Sequence, residues 1–422
     1  MKPVVALSVA LAFAVPAVHA QAPAAAPAAI DPISRLVGQL ELENYKATIK
    51  SLTRFGDRRQ GTERNRQALD WIEAQLKSYG CTNTERLQYQ FTQLAPGEPG
   101  PKRAPGIPSG GAGGPPGQGG STLFGNRIPT GVNTDPLRQP DEKLRALNAE
   151  QTPVGTSQRE NVYCTKVGTT HPEEMYIVSA HMDGIGFGEA ANDDGSGTAL
   201  VMELARIFSM PGVETGRSIR FILWNNEETG LNGATAYANQ RKDLQGIESP
   251  KGSGKYPEPK WLGMIQHDMM MFDHGMPFQK VDGYGKPVVD EKGNPVFVAP
   301  PEQRLEADVN IEYQSNSKHA EGAAKLAWAF RAANDKYATN YPAAVGFHMT
   351  NTDSTPFMDL VPSISLRENE RGQQIGAGWN PNWHQPTDNY ANYSDKDFLL
   401  GLNAAQTTLA GVAQLAGVKV KP

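Results

Sequence analysis

Tyr176-Ile177-Val178-Ser179-Ala180-His181-Met182-Asp183, continued by Asn192-Asp193-Asp194-Gly195-Ser196-Gly197 and the run 198–208, decides the fold. Its first five residues are a short apolar run of strand length. The run 198–208 places Leu200, Leu204 and Phe208 on one helical face. Outward from this unit the pattern repeats. Residues 161–167, 218–224, 263–266 and 363–366 read as strands, and 321–337, 395–416 and a stretch from Asn232 read as helices. Upstream, Asp31-Pro32 starts a helix with a cap residue and Pro at the first helical position. A second helix at 62–79 carries Leu69, Ile72 and Leu76 on its apolar face and stops at Gly80, ahead of a strand-like run at 82–91. Strands alternating with helices predict an α/β fold: a single domain over 31–422 with a mostly parallel mixed β-sheet core flanked by helices on both faces.

The 422-residue chain has a net charge of −5 and no basic cluster, which argues against a nucleic-acid partner. Residues 1–20 read as a signal peptide, with Lys2 at the positive start, an apolar run at 4–15, and Val18-His19-Ala20 before cleavage after Ala20. The run is too short to span a bilayer, and no later segment reaches about 18 apolar residues. The expectation is an enzyme in the periplasm or secreted, with no membrane span. Removal of Lys2 leaves 39 basic against 45 acidic residues, a mature charge of −6. Residues 21–30 are an Ala/Pro-rich linker expected to be disordered. Residues 94–140 are Pro-, Gly- and Ser-rich and predict a mobile surface insertion, because such a composition buries too little apolar surface to offset its ordering entropy. No Gly-Lys-Ser/Thr ending marks it as a phosphate loop. A second excursion covers 276–308, and the loops 341–360 and 367–383 are expected to shape a pocket. Cys81 and Cys164 are the two cysteines. In an oxidising compartment they form a disulfide if their strand-like runs are neighbours, or stay as two buried thiols if not. No Cys-x-x-Cys pair points to a thiolate metal site.

The acidic and imidazole residues fall at strand ends. His181 and Asp183 follow the first strand, Asp193 precedes the helix, and Glu227-Glu228 follow the strand at 218–224. Asp268 follows 263–266, and His384 lies in the loop 380–388. Open α/β sheets assemble their sites outside the carboxyl ends of strands, so these residues have a route to one place. Two imidazoles and three carboxylates suit zinc, with manganese or cobalt as alternatives. Glu227 and Glu228 are adjacent, so one reaches a metal while the other reaches a bound water. Asp193 is the natural bridge between two cations about 3.5–4 Å apart. The chain lacks a Gly-x-Ser-x-Gly elbow and a His-Glu-x-x-His helix, which argues against serine hydrolysis and the single-zinc endopeptidase arrangement.

The strings Ser179-Ala180-His181-Met182-Asp183, Ala191-Asn192-Asp193-Asp194-Gly195-Ser196-Gly197 and Asn226-Glu227-Glu228-Thr229-Gly230-Leu231 resemble the co-catalytic di-zinc aminopeptidases. Gln266-His267-Asp268-Met269 and His384-Gln385-Pro386-Thr387-Asp388 fit the same pattern. This resemblance implies a zinc exopeptidase fold of the phosphorylase/hydrolase-like kind and two Zn2+ per chain. Asp193 would bridge, His181 and Asp268 would complete one site, and Glu228 and His384 the other. Glu227 would be the general base for a water bridging the zinc ions, and Asp183 would orient the His181 imidazole. The bond Asp193-Asp194 is often cis in this family. The chain departs from the pattern at Thr352-Asp353-Ser354-Thr355-Pro356-Phe357, where relatives often carry Ser-Asp-His before Pro-Phe. His267 reads as structural, facing away from Asp268. The implied activity is peptide hydrolysis, foremost as an aminopeptidase. A carboxypeptidase or dipeptidase would need a cation for the substrate carboxylate, for which Arg367 and Arg371 are candidates, Arg367 serving equally as a salt-bridge residue. A glutaminyl cyclase with one zinc and a binding-only ectodomain are the further alternatives. Nothing here sets an oligomeric state.

Overall fold

The computed structural model describes residues 31–421 apart from 82, 96–97, 99–131, 274–279, 281, 285, 294–295, 297–308, 348, 350, 369–379 and 381. The signal peptide and linker expected at 1–20 and 21–30, the body of the insertion, part of the second excursion and Arg371 lie outside the described residues.

The chain runs α1 (Pro32–Val37), α2 (Leu42–Thr53), α3 (Glu63–Ser78), β1 (Glu85–Gln93), α4 (Glu142–Leu147), β2 (Gly155–Lys166), β3 (His171–His181), α5 (Gly195–Phe208), β4 (Val213–Thr215), β5 (Arg217–Trp224), α6 (Asn232–Arg241), β6 (Lys260–His267), β7 (Val309–Tyr313), α7 (Ala320–Tyr337), β8 (Ala343–Gly346), β9 (Ser363–Arg367), α8 (Asp395–Ala416) and β10 (Val418–Val420). Eight strands form one mixed sheet in the order β1-β2-β5-β3-β6-β9-β7-β8, and β4 pairs with β10 apart from it. At its centre β5, β3, β6 and β9 are parallel, so their carboxyl ends share one edge.

The central strands are apolar on both faces because both are covered. Tyr176, Val178 and Ala180 of β3 join the cluster formed with α5, α7 and α8, while Met175 and Ile177 face the opposite cluster. That second layer is aromatic. Trp224 at the end of β5 packs edge-on to Tyr237 of α6 at 5.4 Å, and Phe357 lies 5.4 Å from Trp261. Helix α5 is buried on nearly every side, as a helix apolar all round must be. Its first turn is capped by Asp194, whose Oδ1 accepts from Gly197 N at 2.9 Å. A Cβ at position 197 would stand 2.5 Å from that carboxylate, so the close cap requires glycine.

The structure departs from the sequence reading in several places. Helix α2 and strands β7 and β8 were not anticipated, and β8 falls inside the segment read as loop 341–360. Strands of four and five residues show too few alternations to be read locally, and β8 exists because β7 pairs with it. The insertion at 94–140 is not surface throughout, for Asn133 and Gln139 near its end are buried. Their amides donate to Gly186 O at 3.2 Å and to Phe187 O and Pro386 O at 2.8 and 2.9 Å. Composition reports the apolar deficit of such a segment but not the backbone carbonyls its amides will find.

Strands β1 and β2 are antiparallel neighbours, and Cys81, ahead of β1, is joined to Cys164 in β2 by a disulfide with a Cα–Cα distance of 6.0 Å. The bond closes a loop with a sequence separation of 83 residues. Denatured, unreduced protein is therefore expected to titrate no free thiol, and reduction to lower stability by about 2–4 kcal/mol. Two reactive thiols per chain under those conditions would contradict this pairing.

Candidate metal centre

The parallel strands deliver their last residues to one edge of the sheet. His181 ends β3, Asp268 follows β6, and Glu227 and Glu228 follow β5 after a left-handed turn at Asn226 (φ 65°). Asp193 arrives from the loop entering α5, and its bond to Asp194 is cis. His384 comes from the turn before α8, itself left-handed at φ 56°. A Cβ at Gly186 would stand 2.5 Å from the His384 carbonyl carbon, so a glycine there lets the two loops touch.

Asp193 stands between the two histidines. Its Oδ1 lies 3.2 Å from His181 Nε2 and its Oδ2 lies 3.0 Å from His384 Nε2. Glu228 Oε2 is 3.0 Å from the same His384 nitrogen, and Asp268 Oδ1 is 3.8 Å from His181 Nε2. The donor atoms of His181, Asp193 and Glu228 lie within 4.8 Å of one another, as do those of His181, Glu227 and Asp268.

Asp183 requires a correction. His181 Nδ1 is 2.9 Å from the main-chain oxygen of Asp183 and 3.8 Å from its carboxylate. The main-chain oxygen is the nearer partner of the ring, and Asp183 Oδ1 also accepts from the Glu227 N–H at 3.1 Å. The turn into Glu227 offers the carboxylate a donor of its own, and the main-chain oxygen of the same residue is left nearer the ring. His267 faces away from Asp268, its ring nitrogens 2.9 Å from Ser179 O and 2.8 Å from Thr408 Oγ1, and burial holds its pKa near about 4.

Electrostatics is dominated by an excess of carboxylates. Burial pushes Glu227, Asp183, Asp194 and Asp353 upward, and it raises Glu228 to about 7 despite His384 alongside. Burial alone would lower both imidazoles, but Glu227 and Asp193 carry His181 well up, and Glu228 with Asp193 carries His384 to about 10. Asp193 is held down against its burial by the two histidines, and Asp268 is held to about 2 by Arg367 and His181. Buried Glu228 Oε1, Asp183 Oδ2 and both oxygens of Asp353 have no hydrogen-bond partner. A buried anion without a partner is costly, and divalent cations relieve it. Imidazole nitrogens and carboxylate oxygens, with Asp193 offering one oxygen to each side, fit zinc.

Further residues build the site, and of these Arg58 carried no local signal. Asp388 accepts from the N–H groups of Asn192 and Asp193 at 2.9 and 3.1 Å, tying the His384 turn to the Asp193 loop. It stands in the motif with His384, and that spacing was its one clue. Arg58 binds the carbonyls of Met182, Glu189 and Ala190 at 2.7–2.8 Å and pins the loop between them. Asp353, in the loop that departs from the family pattern, lies among His181, Asp183, Asp268 and Glu228. Arg367 is fully buried and bonded to Asp268, the salt-bridge role of the two considered for it.

In the metal-free protein the carboxylates around His384 and His181 favour the protonated form of both imidazoles. An imidazole must lose its proton to ligate. Zinc uptake at pH 7 is thus expected to release protons, and zinc affinity to rise with pH until it passes about 10. Calorimetry in buffers of unlike ionisation heat measures the release, and buffer-independent heats would contradict it.

The profile of peptidase family M28 matches residues 161–407. The chain is 35% identical to Aminopeptidase YwaD of Bacillus subtilis (strain 168) over 105 residues, which is 24% of this chain and 21% of that protein. It is 34% identical to Carboxypeptidase Q of Xenopus laevis over 89 residues, 21% of this chain and 19% of that protein. The alignments therefore span about a fifth of the length of these curated relatives. Among solved structures, an aminopeptidase from Aneurinibacillus sp. strain AM-1 superposes with a TM-score of 0.57 at 18% identity, covering 92% of this chain and 97% of that one, which is a likeness of fold. With the profile taking in more than half of the 422 residues, the chain belongs to peptidase family M28.

Proposed function

We propose that this chain is an exported exopeptidase dependent on two zinc ions and that it releases residues from the amino ends of peptides. One observation carries the reading: the two oxygens of Asp193 divide between His181 and His384, each at 3.0–3.2 Å. His181 and Asp268 would hold one ion, Glu228 and His384 the other, with Asp193 common to both. When bound, zinc would supply Lewis-acid polarisation of the scissile carbonyl and a lowered pKa for the attacking water. Glu227 takes the proton of that water and returns it to the leaving amine, a role suited to a carboxylate whose burial raises its pKa well above the usual range. Asp183 holds the Glu227 N–H and so sets where this base stands.

Charge favours the amino end. Asp183, Asp193, Asp194, Glu227, Glu228, Asp268 and Asp353 face two imidazoles and Arg367, whose charge Asp268 already matches. Acidic side chains outnumber basic ones around the site, which supports a substrate ammonium there over a substrate carboxylate. The carboxypeptidase reading relied on Arg367 or Arg371. The first is bonded to Asp268, and the second lies outside the described residues. A one-zinc cyclase makes no use of a carboxylate shared by two histidines. The Cys81–Cys164 disulfide, together with the signal-like residues 1–20, supports export to an oxidising compartment.

Zinc-loaded protein is expected to hydrolyse Leu-p-nitroanilide and to leave an N-blocked dipeptide intact, losing the first activity on chelation and regaining it with zinc. The reverse substrate preference would establish a carboxypeptidase instead, and one zinc per chain with cyclisation of amino-terminal Gln would establish a cyclase. Glu227→Gln is expected to keep two zinc ions by elemental analysis while kcat falls by about 10²–10⁴-fold. Near-normal turnover of that variant would remove Glu227 as the base.

A further inference from the structure

His181 and His384 both turn Nε2 toward Asp193, at 3.2 and 3.0 Å, but their other nitrogens are treated differently. Nδ1 of His181 lies 2.9 Å from the main-chain oxygen of Asp183. Nδ1 of His384 is buried and has no hydrogen-bond partner among the described residues. A ligand imidazole ordinarily gives its second nitrogen to an acceptor, which fixes the plane of the ring and its tautomer. His384 lacks that anchor, so its ring must be held by other means.

The preceding residue supplies them. The rings of Trp383 and His384 are 4.0 Å apart between centroids and inclined at 27°, which is a stacked pair. Successive side chains point apart in a strand and do not face each other in a helix. The left-handed backbone at His384, with φ of 56°, belongs to neither geometry.

The turn that carries the indole is itself fixed. Trp383 N–H donates to Asn380 O at 3.1 Å, and Asn380 Nδ2 donates to Glu368 Oε1 at 2.9 Å. The other oxygen of buried Glu368 accepts from Asn192 Nδ2 at 2.8 Å, one residue before Asp193. The backbone beneath Trp383 is thereby tied to the loop that bears the shared carboxylate.

Charge gives the stack a direction. The face of an indole is electron-rich and attracts positive charge. An imidazole whose Nε2 binds a divalent ion becomes electron-poor, so the indole favours the metal-bound ring over the free neutral one.

We propose that Trp383 is the positioning residue of His384: its indole face, in place of a hydrogen bond at Nδ1, sets the plane of this imidazole and strengthens its hold on a cation. The inference rests on the reading of His384 as a metal ligand.

The overall zinc affinity of metal-free, full-length protein, measured by competition with a chromophoric chelator, tests it. Trp383→Leu fills the space without an aromatic face and is expected to weaken zinc binding by about 10-fold. Trp383→Phe keeps a ring to stack and is expected to stay within about 3-fold of wild type. In a His384→Ala background, Trp383→Leu is expected to cause no further loss, because the indole then has no imidazole to act through. Equal losses in both backgrounds overturn the proposal, as does wild-type affinity in Trp383→Leu or a Phe variant as weak as the Leu variant. Should Trp383→Leu fail to fold, the change in indole fluorescence on adding Zn2+ decides. Loss of most of that change in Trp383→Phe supports the proposal, and an unaltered change overturns it. A zinc affinity unaffected by His384→Ala defeats instead the ligand reading on which the proposal stands.

Discussion

The carboxylate of Asp193 is the contact on which the site depends. It is buried, it stands 3.2 Å from one histidine and 3.0 Å from another, and those histidines are separated by most of the length of the sheet-forming chain. Its main-chain N–H is held by Asp388, its neighbour Asp194 caps α5, and its loop is pinned by Arg58. Two distant parts of the chain and the adjoining helix cap thus fix the loop that carries this side chain. A buried acid of this kind is unfavourable unless something positive meets it, so the geometry that positions Asp193 also creates the demand for cations.

The sheet supplies the framework. Parallel strands β5, β3 and β6 end at one edge, and the residues just past their ends are the ones free to turn inward. Those turns use conformations that side chains seldom adopt. Asn226, Met269 and His384 have φ of 65°, 57° and 56°, each at or next to a candidate ligand. Left-handed backbone at non-glycine positions costs about 1–3 kcal/mol each and persists where packing over-determines it. Here the aromatic layer of Trp224, Tyr237, Trp261 and Phe357 on one face and the buried helix α5 on the other provide that packing.

Charge distribution gives the site its direction. Carboxylates outnumber imidazoles and guanidinium, and burial raises the pKa of Glu227 and Glu228 even with His181 and His384 close by. Asp193 and Asp268 are held low because histidines and Arg367 touch them. Adjacent carboxylates in one pocket are therefore driven apart in acidity, which separates groups that bind cations from a group that can carry a proton.

Residues 176–208, read alone, determine a strand, a loop and a helix, and the other apolar runs determine the alternation that makes the sheet. They do so because a buried parallel strand must be apolar throughout and an amphipathic helix must repeat at 3.6 residues. The candidate ligands were legible for the same reason, as acidic and imidazole residues placed just past apolar runs. Tertiary structure decided what local pattern does not encode. It paired Cys81 with Cys164 because β1 and β2 are neighbours, formed β8 because β7 is beside it, and set the main-chain oxygen of Asp183 nearer the His181 ring than its carboxylate. It also placed Arg367 on Asp268, Asp388 on the Asp193 loop, and Asn133 and Gln139 against the His384 turn. All but the His181–Asp183 contact join residues far apart in the chain, where an unpaired charge or amide takes whichever partner the packed strands and loops bring within reach.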